Sequence, residues 1–359
     1  MERIFYVGTN TSGKSEGIYI CSMDTDSGAI KLKSLTRGVI NPTFLAVDQR
    51  QRYLYAVNEI AGFEGQPEGT VSAFRIDKQT GELDFLHRQP SGGASPCHLV
   101  VDKSNRFLLV ANYSGRSVAV FPIQHKGSLG APTDVVQHRG SSINPKRQQG
   151  PHPHSVILDA ANRFAFVADL GTDKVMIHRF DSKRGKLTLG TKPWVQVKAG
   201  AGPRHFVFHT DGKRAYLINE LDSTLMAFDY DASSGDLRET QTISTLPAGF
   251  TRENYCADVQ VALSGRYIYG SNRGHDSIVV FAVDDHSGKL SAVQYQSTQG
   301  KTPRNFAIDP TGRFLLVANQ NSDAIVVFAI DPETGKLMPT GHDEKIPVPV
   351  CLQFATPLT

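Results

Sequence analysis

Short apolar runs separated by polar residues recur along the chain, and six stretches of the sequence repeat one arrangement of these runs. In each copy an opening residue precedes a first run, Arg or Lys follows ten positions after the opener, and a second run closes on Asn or Asp sixteen positions after it. The openers are Pro42, Pro96, Pro153, Pro203, Cys256 and Pro303, and the closing residues are Asn58, Asn112, Asp169, Asn219, Asn272 and Asn319. With Pro349 as a seventh opener, successive openers lie 46 to 57 residues apart. Such a period, with several short strands in each unit, predicts a β-propeller.

Each repeat is predicted to contain four strands. In the second copy these cover residues 97–102, 107–112, 118–123 and approximately 134–138. The runs are rich in Val, Leu, Ile and Phe, and turn-forming pairs such as Ser104-Asn105 separate them. No segment shows sustained helical periodicity. We therefore expect an all-β fold of four-stranded antiparallel blades.

The two ends of the chain each carry part of a repeat. Residues 4–7 match a second strand without a first, and residues 349–354 match a first strand without the others. One blade is therefore expected to combine the N-terminal and C-terminal strands, which closes the ring. Counting this blade gives a seven-bladed β-propeller that forms a single domain over residues 1–359.

Composition narrows the classes of function. A content of 40% hydrophobic and 20% charged residues is ordinary for a globular protein, and a net charge of +3 indicates neither nucleic acid nor membrane as a partner. No apolar run approaches the ~20 residues that span a bilayer. Because Met1-Glu2-Arg3 leads directly into a predicted strand, no signal peptide is expected. Four cysteines without metal-ligand spacing predict free thiols in the cytoplasm, and we expect no metal and no other cofactor.

Hairpin geometry brings one set of positions together. The start of the first strand lies beside the end of the second in an antiparallel pair. The residues after each opener and each closing residue should therefore converge on one mouth of the central channel, which we call the rim. Rim positions differ between copies, as is typical of a binding site on a repeated scaffold, although they could instead only pair with one another. The polar members include Thr43, His98, His154, Ser155, Arg204, His205, Asp258, Arg304, Asn305, Glu59, Glu220, Arg273 and Gln320.

The rim contains groups that bind anions and groups that move protons. The cations that could clamp an anion are Arg204, Arg273 and Arg304. The candidates for acid–base chemistry are His154, His205 and Glu220. Because Arg204 and His205 are neighbours on a strand, only one of them should face a ligand, and His205 is predicted to be the structural one.

Two other histidines have simpler interpretations. His98 is more typical of a buried channel residue than of a catalyst. His152 and His154 are spaced like metal ligands on a strand, but no carboxylate or thiol accompanies them, so we predict no metal site.

Residues 137–150 form a long connection that carries His138, Arg139, Lys146 and Arg147. Because this segment leads directly into His152 and His154, it is predicted to lie over the rim. Its charges are mostly expected to be solvated, although Lys146 or Arg147 could help to hold an acidic substrate.

Residues 200–209, with the sequence Gly-Ala-Gly-Pro-Arg-His-Phe-Val-Phe-His, are the most distinctive segment of the chain. Together with Asn219-Glu220-Leu221, His154-Ser155 and Asn272-Arg273, they resemble the seven-bladed propeller lactonases. That family includes bacterial 6-phosphogluconolactonases and, in a related branch, fungal carboxy-muconate lactonizing enzymes. The resemblance covers essentially the whole chain, although the loop before His154 is usually shorter in the 6-phosphogluconolactonases.

The resemblance implies an enzyme that hydrolyses a small anionic sugar lactone, with 6-phosphogluconolactone favoured. It implies that His154, Arg204, Glu220 and Arg273 are the catalytic residues, with Glu220 or His154 as the general base and the arginines stabilising the anion. The expected substrate-binding residues are His98, His152, His205, Arg304, Asn305 and Gln320. Two alternatives remain open: a cycloisomerase that forms a lactone from a muconate-type dicarboxylate, and a non-catalytic propeller that binds a metabolite or a protein.

Overall fold

The computed structural model of the chain describes residues 1–355, so the last four residues of the expected 1–359 domain lie outside the described part. Within it the chain forms 28 β-strands in seven four-stranded antiparallel sheets, each of which is one blade. The predicted seven-bladed β-propeller is confirmed.

The first three strands, β1 (Glu2–Thr9), β2 (Gly17–Asp24) and β3 (Ile30–Arg37), belong to blade 7. Blade 1 contains β4 (Leu45–Val47), β5 (Tyr53–Asn58), β6 (Thr70–Ile76) and β7 (Leu83–Pro90). Blade 2 contains β8 (Pro96–Val101), β9 (Phe107–Asn112), β10 (Ser117–Pro122) and β11 (Asp134–Gln137). Blade 3 contains β12 (Pro153–Leu158), β13 (Phe164–Asp169), β14 (Lys174–Asp181) and β15 (Lys186–Gln196).

Blade 4 contains β16 (Pro203–Phe208), β17 (Arg214–Asn219), β18 (Thr224–Asp231) and β19 (Asp236–Ser244). Blade 5 contains β20 (Tyr255–Val261), β21 (Tyr267–Arg273), β22 (Ser277–Val283) and β23 (Leu290–Ser297). Blade 6 contains β24 (Pro303–Ile308), β25 (Phe314–Asn319), β26 (Ala324–Ile330) and β27 (Leu337–Lys345). The last strand, β28 (Pro349–Phe354), completes blade 7, and short 3₁₀ helices lie at His125–Gly127 and Gln320–Ser322.

The ring closes where β28 pairs with β1. These strands are antiparallel, with Phe354 opposite Phe5 and Cys351 opposite Gly8. Blade 7 therefore takes its innermost strand from the end of the chain and its other three strands from the beginning. This confirms the closure expected from the incomplete repeats.

An Asp that four of the six copies carry six positions after the opener fixes the turn between the first two strands. In blade 2, Oδ1 of Asp102 accepts hydrogen bonds from the amides of Arg106 and Phe107, both at 2.7 Å. The same type of contact recurs at Asp159 and Asp309. The polar residues that the copies share at this end are therefore part of the scaffold.

The apolar core lies between the blades. Buried side chains of neighbouring sheets pack face to face, as where Phe166 of β13 stacks on Phe206 of β16 with ring centroids 5.4 Å apart. The Arg ten positions after the opener adds a polar link in several blades, as where Arg106 Nη2 donates to the carbonyl oxygen of Ser182 in the next blade. These contacts repeat around the ring and hold the rim in place.

A β-bulge follows the opener in several blades. The opener lies opposite the closing residue, as predicted, in the pairs Pro96–Asn112, Pro153–Asp169, Pro203–Asn219 and Pro303–Asn319. The register then shifts by one residue, which leaves the next residue without an opposite partner. Such a bulge bends the strand and redirects the extra side chain. The extra residues are Cys97, His154, Arg204 and Arg304.

Candidate active site

The four bulged residues meet at a small cavity in the mouth of the channel. The cavity has a volume of about 10 Å³, which is room for about one water molecule. Its lining consists of Thr43, Phe44, Glu59, Cys97, His154, Arg204, His205, Arg304, Asn305 and Val350. The predicted convergence of the positions after the openers is therefore present in the structure.

Arg204 and His205 both line this cavity, although neighbours on a regular strand face opposite sides. That only one of them faces a ligand, with His205 as the structural one, stays a prediction. The alternation of a regular strand does not hold here, because the bulge falls at Arg204. Nη1 of Arg204 lies 3.2 Å from Nε2 of His205, and Nδ1 of His205 lies 2.8 Å from Oδ1 of Asp258. A guanidinium only donates, so we assign the proton of His205 to Nδ1, which donates to Asp258. Burial, followed by the charge of Arg204, lowers the pKa of His205 and keeps it neutral.

Glu220 is the centre of the charged part of the rim. It follows the closing Asn219 of blade 4, and its side chain is only 5% exposed. Oε2 of Glu220 accepts from Nε of Arg204 at 2.9 Å and lies 2.9 Å from Nη2 of Arg273. Oε1 accepts from Nη2 of Arg147 at 2.6 Å. Three arginines from three different parts of the chain therefore surround one carboxylate.

These arginines determine the ionisation of Glu220. Burial by itself raises the pKa of a carboxyl, but the charges of Arg273, Arg204 and Arg147 outweigh it and lower the pKa of Glu220 to about 2. A general base works best with a pKa near the working pH. Held in this way, Glu220 is a weak base and a permanent negative charge.

His154 is the neutral partner of this cluster. Its Nε2 lies 4.0 Å from Oε2 of Glu220, and its Nδ1 lies 4.0 Å from Sγ of Cys97. Burial, with the nearby charge of Arg204, lowers the pKa of His154 well below its usual value. The imidazole is therefore uncharged at neutral pH and able to accept a proton, and the carboxylate of Glu220 is close enough to stabilise the resulting cation.

Most of the cations of the rim already have partners. Arg204 also donates to the carbonyl oxygen of Ala257, and Arg273 donates to those of Tyr255 at 3.2 Å and Cys256 at 2.9 Å. Arg304 differs, because within residues 1–355 its side chain makes no hydrogen bond or salt bridge, although it lines the cavity. Arg304 is therefore the rim cation with its donors free for an incoming anion.

On the other side of the mouth the polar residues pair with one another. Nδ2 of Asn305 donates to Oδ2 of Asp258 at 2.7 Å, and Oδ1 of Asn305 accepts from the amide of Leu352 at 2.7 Å. His98 packs against Phe44 with ring centroids 4.1 Å apart, and burial lowers the pKa of His98 well below its usual value. For Asn305 and Asp258, the structure agrees with the alternative interpretation, in which the polar residues of the rim only pair with one another.

His152 and Gln320 are not among the residues that line the cavity. The ring of His152 stacks on Tyr113 with centroids 4.3 Å apart, and its Nδ1 lies 3.1 Å from the carbonyl oxygen of Tyr113. Gln320 begins a 3₁₀ helix, and its buried Oε1 has no hydrogen-bond partner in the described part of the chain. Among residues 1–355 no group of three or more His, Cys, Asp or Glu is arranged to hold a metal ion.

Sequence reasoning missed several residues that position this cluster. Tyr255 precedes an opener, a position that the repeat pattern does not single out, and the guanidinium carbon of Arg147 lies 5.8 Å from its ring centroid. Asp173 accepts from the amides of Gly200 and Gly202, and so fixes the loop before Arg204. Gly202 has φ +69°, and a Cβ there would lie 2.5 Å from Cγ of Leu221. The Gly-x-Gly spacing before Pro203 was the available signal for this tight loop.

The seven-bladed fold agrees with a comparison to known protein families. Residues 4–354 match the family model described as "Lactonase, 7-bladed beta-propeller". The chain belongs to this family. As a member of it, the chain is an enzyme that hydrolyses the internal ester of a lactone, which confirms the class of activity that the resemblance implied.

Individual members of the lactonase family are similar over nearly their full length. The chain is 40% identical over 308 residues to the 6-phosphogluconolactonase of Bacillus subtilis strain 168, covering 86% of this chain and 85% of that protein. It is 38% identical over 313 residues to the 6-phosphogluconolactonase of Formosa agariphila, covering 85% and 86%. The structure of a periplasmic gluconolactonase from Pseudomonas aeruginosa matches with a TM-score of 0.93 and 36% identity, covering 99% of each chain.

Within residues 1–355, no helix has the length and apolar character needed to span a membrane.

Proposed function

We propose that this lactonase hydrolyses an anionic sugar lactone, with 6-phosphogluconolactone as the favoured substrate. Two of the similar family members carry the name of that activity. The observation that carries the proposal is the pairing of a neutral, buried His154 with a permanently ionised Glu220 beside a cavity lined by Arg304. The excess of arginine over carboxylate in the charged cluster favours an anionic substrate.

In this mechanism His154 is the general base and Glu220 is its counter-ion. Water attacks the carbonyl carbon of the lactone, and one of its protons moves to the imidazole of His154. The resulting cation lies beside Glu220, whose low pKa keeps it charged throughout. Of the two bases considered from the sequence, we favour His154, because both oxygens of Glu220 already accept hydrogen bonds from arginines.

In this mechanism Arg304 stabilises the negative charge that develops on the substrate. As the tetrahedral intermediate forms, charge develops on the former carbonyl oxygen, and we assign the free donors of Arg304 to this oxyanion. The intermediate collapses by breaking the bond between the carbonyl carbon and the ring oxygen. The ring oxygen then takes the proton from His154 and becomes the hydroxyl of the product, while the new carboxylic acid ionises.

The test is hydrolysis of freshly generated 6-phosphogluconolactone, coupled to 6-phosphogluconate dehydrogenase, with spontaneous hydrolysis subtracted. His154→Gln should lower kcat by about 10²- to 10⁴-fold, the usual contribution of a general base. His125→Gln makes the same change at an exposed histidine and should retain activity. Full activity in His154→Gln would remove His154 from the mechanism.

The same assay distinguishes the cycloisomerase alternative. A wild-type enzyme with no rate above background on the phosphorylated lactone, but with loss of absorbance on a muconate substrate, would replace hydrolysis by lactone formation. A protein that turns over neither substrate would next be tested on unphosphorylated lactones.

We also propose that the enzyme acts in the cytoplasm. Its four cysteines are free and buried, which suits a reducing compartment. Cell fractionation tests this, and recovery of the protein in a periplasmic fraction, the location named for the Pseudomonas aeruginosa relative, would contradict it.

A further inference from the structure

Arg147 differs from the other two arginines that contact Glu220. It lies in the long basic segment between β11 and β12, whereas Arg204 and Arg273 lie on strands of the propeller. Its side chain is 33% exposed, whereas Arg204 is buried. The guanidinium lies near two aromatic residues: Nη2 is 3.4 Å from the hydroxyl of Tyr113, and the guanidinium carbon is 5.8 Å from the ring centroid of Tyr255. Arg147 is thus an outer cation that solvent reaches.

The backbone that carries Arg147 is held firmly. Oδ1 of Asn144 accepts from the amides of Lys146 at 3.0 Å and Arg147 at 3.1 Å. The buried Gln148 donates through Nε2 to the carbonyl oxygen of Leu170 and to Oδ1 of Asp173, both at 2.8 Å. Motion at this point therefore belongs to the side chain of Arg147 and not to the loop as a whole.

The two oxygens of Glu220 have unequal partners. Oε2 is held by Arg204 and Arg273 inside the rim, whereas Oε1 is held by Arg147 alone. An anion that arrives from solvent can therefore take Arg147 from Oε1 and leave the inner contacts in place. A phosphate group suits this exchange, because guanidinium and phosphate form paired charge-assisted hydrogen bonds.

We propose that Arg147 is a specificity residue that moves from Glu220 to the phosphate of the substrate and so couples phosphate recognition to turnover. This inference rests on the proposed hydrolysis of a phosphorylated lactone. When Arg147 leaves, two cations rather than three compensate the charge of Glu220. Glu220 then stabilises the protonated His154 more strongly, so the enzyme becomes more active when a phosphate is bound.

The experiment compares Arg147→Gln with Arg139→Gln on two substrates, 6-phosphogluconolactone and glucono-δ-lactone. Arg139 is the matched control, because it is an arginine of the same basic segment and its side chain is exposed. Arg147→Gln should lose about 10- to 100-fold in kcat/KM on the phosphorylated lactone, the value of a charge-assisted contact. Its kcat on the unphosphorylated lactone should exceed that of wild type, because the third cation has been removed from Glu220. Arg139→Gln should resemble wild type on both substrates.

Two further measurements separate coupling from simple folding effects. Phosphite dianion should accelerate the hydrolysis of glucono-δ-lactone by the wild type and not by Arg147→Gln, and Arg147→Lys should recover part of this acceleration. Calorimetry should show that 6-phosphogluconate binds to wild type more tightly than gluconate does, and that Arg147→Gln abolishes most of the difference.

Equal losses on both substrates, or no loss on either, would overturn the inference while leaving the lactonase function intact. A wild type that hydrolyses no phosphorylated lactone would defeat the proposed function instead. In that case the calorimetric comparison still decides whether Arg147 recognises phosphate, because it needs no turnover: an unchanged preference in Arg147→Gln would reject it.

Discussion

The two ends of each blade use polar residues in different ways. At the turn between the first two strands, an Asp at the equivalent position makes the same backbone contacts in several blades, as with Asp102 and Asp309. At the rim, equivalent positions hold different residues, and their charges are compensated between blades, as where Arg204 of blade 4 and Arg273 of blade 5 share Glu220. Contacts that recur from blade to blade build the ring, whereas the contacts around Glu220 in the proposed site are made only once in the described structure.

Glu220→Gln tests the rim end of this comparison and should have the largest effect. The change leaves two buried guanidiniums without their counter-ion, which typically costs ~3–5 kcal/mol in the free energy of unfolding. It also removes the charge that stabilises the protonated His154, so kcat should fall by about 10²- to 10³-fold, as for loss of a preorganised electrostatic contact. Urea denaturation and the coupled assay measure both quantities. Near-normal turnover in this variant would show that the cluster is structural only.

The pH dependence of stability should also reveal the rim. Burial lowers the pKa of His98, His154 and His205, so these groups bind protons in the unfolded chain before they do so in the folded one. Stability is therefore complete above the unfolded pKa of about 6.5 and falls as the pH drops below it, by up to about 1.4 kcal/mol per pH unit for each group. Glu220, with its pKa of about 2, adds a further loss only below about pH 4.5.

Urea denaturation between pH 5 and pH 8 checks this behaviour. His178 provides a control that does not line the cavity: burial lowers its pKa to about 3, and neither of its ring nitrogens has a hydrogen-bond partner in the described structure. His178→Leu should reduce the slope of the free energy of unfolding against pH by the contribution of one histidine, and it should leave turnover unchanged. A free energy of unfolding that stays constant from pH 7 to pH 5 would contradict the assignment of neutral histidines.

Asp309→Ala tests the opposite end of the blade and should have the smallest effect on function. The change leaves the amides of Arg313 and Phe314 without their acceptor, which should cost about 1–3 kcal/mol in the free energy of unfolding. The kcat of the variant should stay at the wild-type value, measured well below its melting temperature. A selective loss of kcat here would mean that the two ends are not as independent as the structure indicates.

The sequence predicts the scaffold well because the scaffold repeats. The opener opposite the closing residue, as in Pro203 and Asn219, follows from hairpin geometry and is found in the structure. The bulge at Arg204 could not be predicted, because one unpaired residue changes no apolar run. The partners of Glu220 could not be predicted either, because the repeat shows which residues share the rim but not which of them make contact across blades. Arg147 was recognised as one of two basic residues that could help to hold an acidic substrate, but not as a partner of Glu220.

The pairing of β28 with β1 has a consequence for the order in which the protein acquires activity. Val350 lines the cavity, and the amide of Leu352 holds Asn305 in place. Both residues lie on β28, which the ribosome makes after every other strand described. A nascent chain that has already formed six blades therefore still lacks part of its mouth. Catalytic competence should appear late in synthesis, and fragments released before β28 should be inactive even where most of their blades have folded.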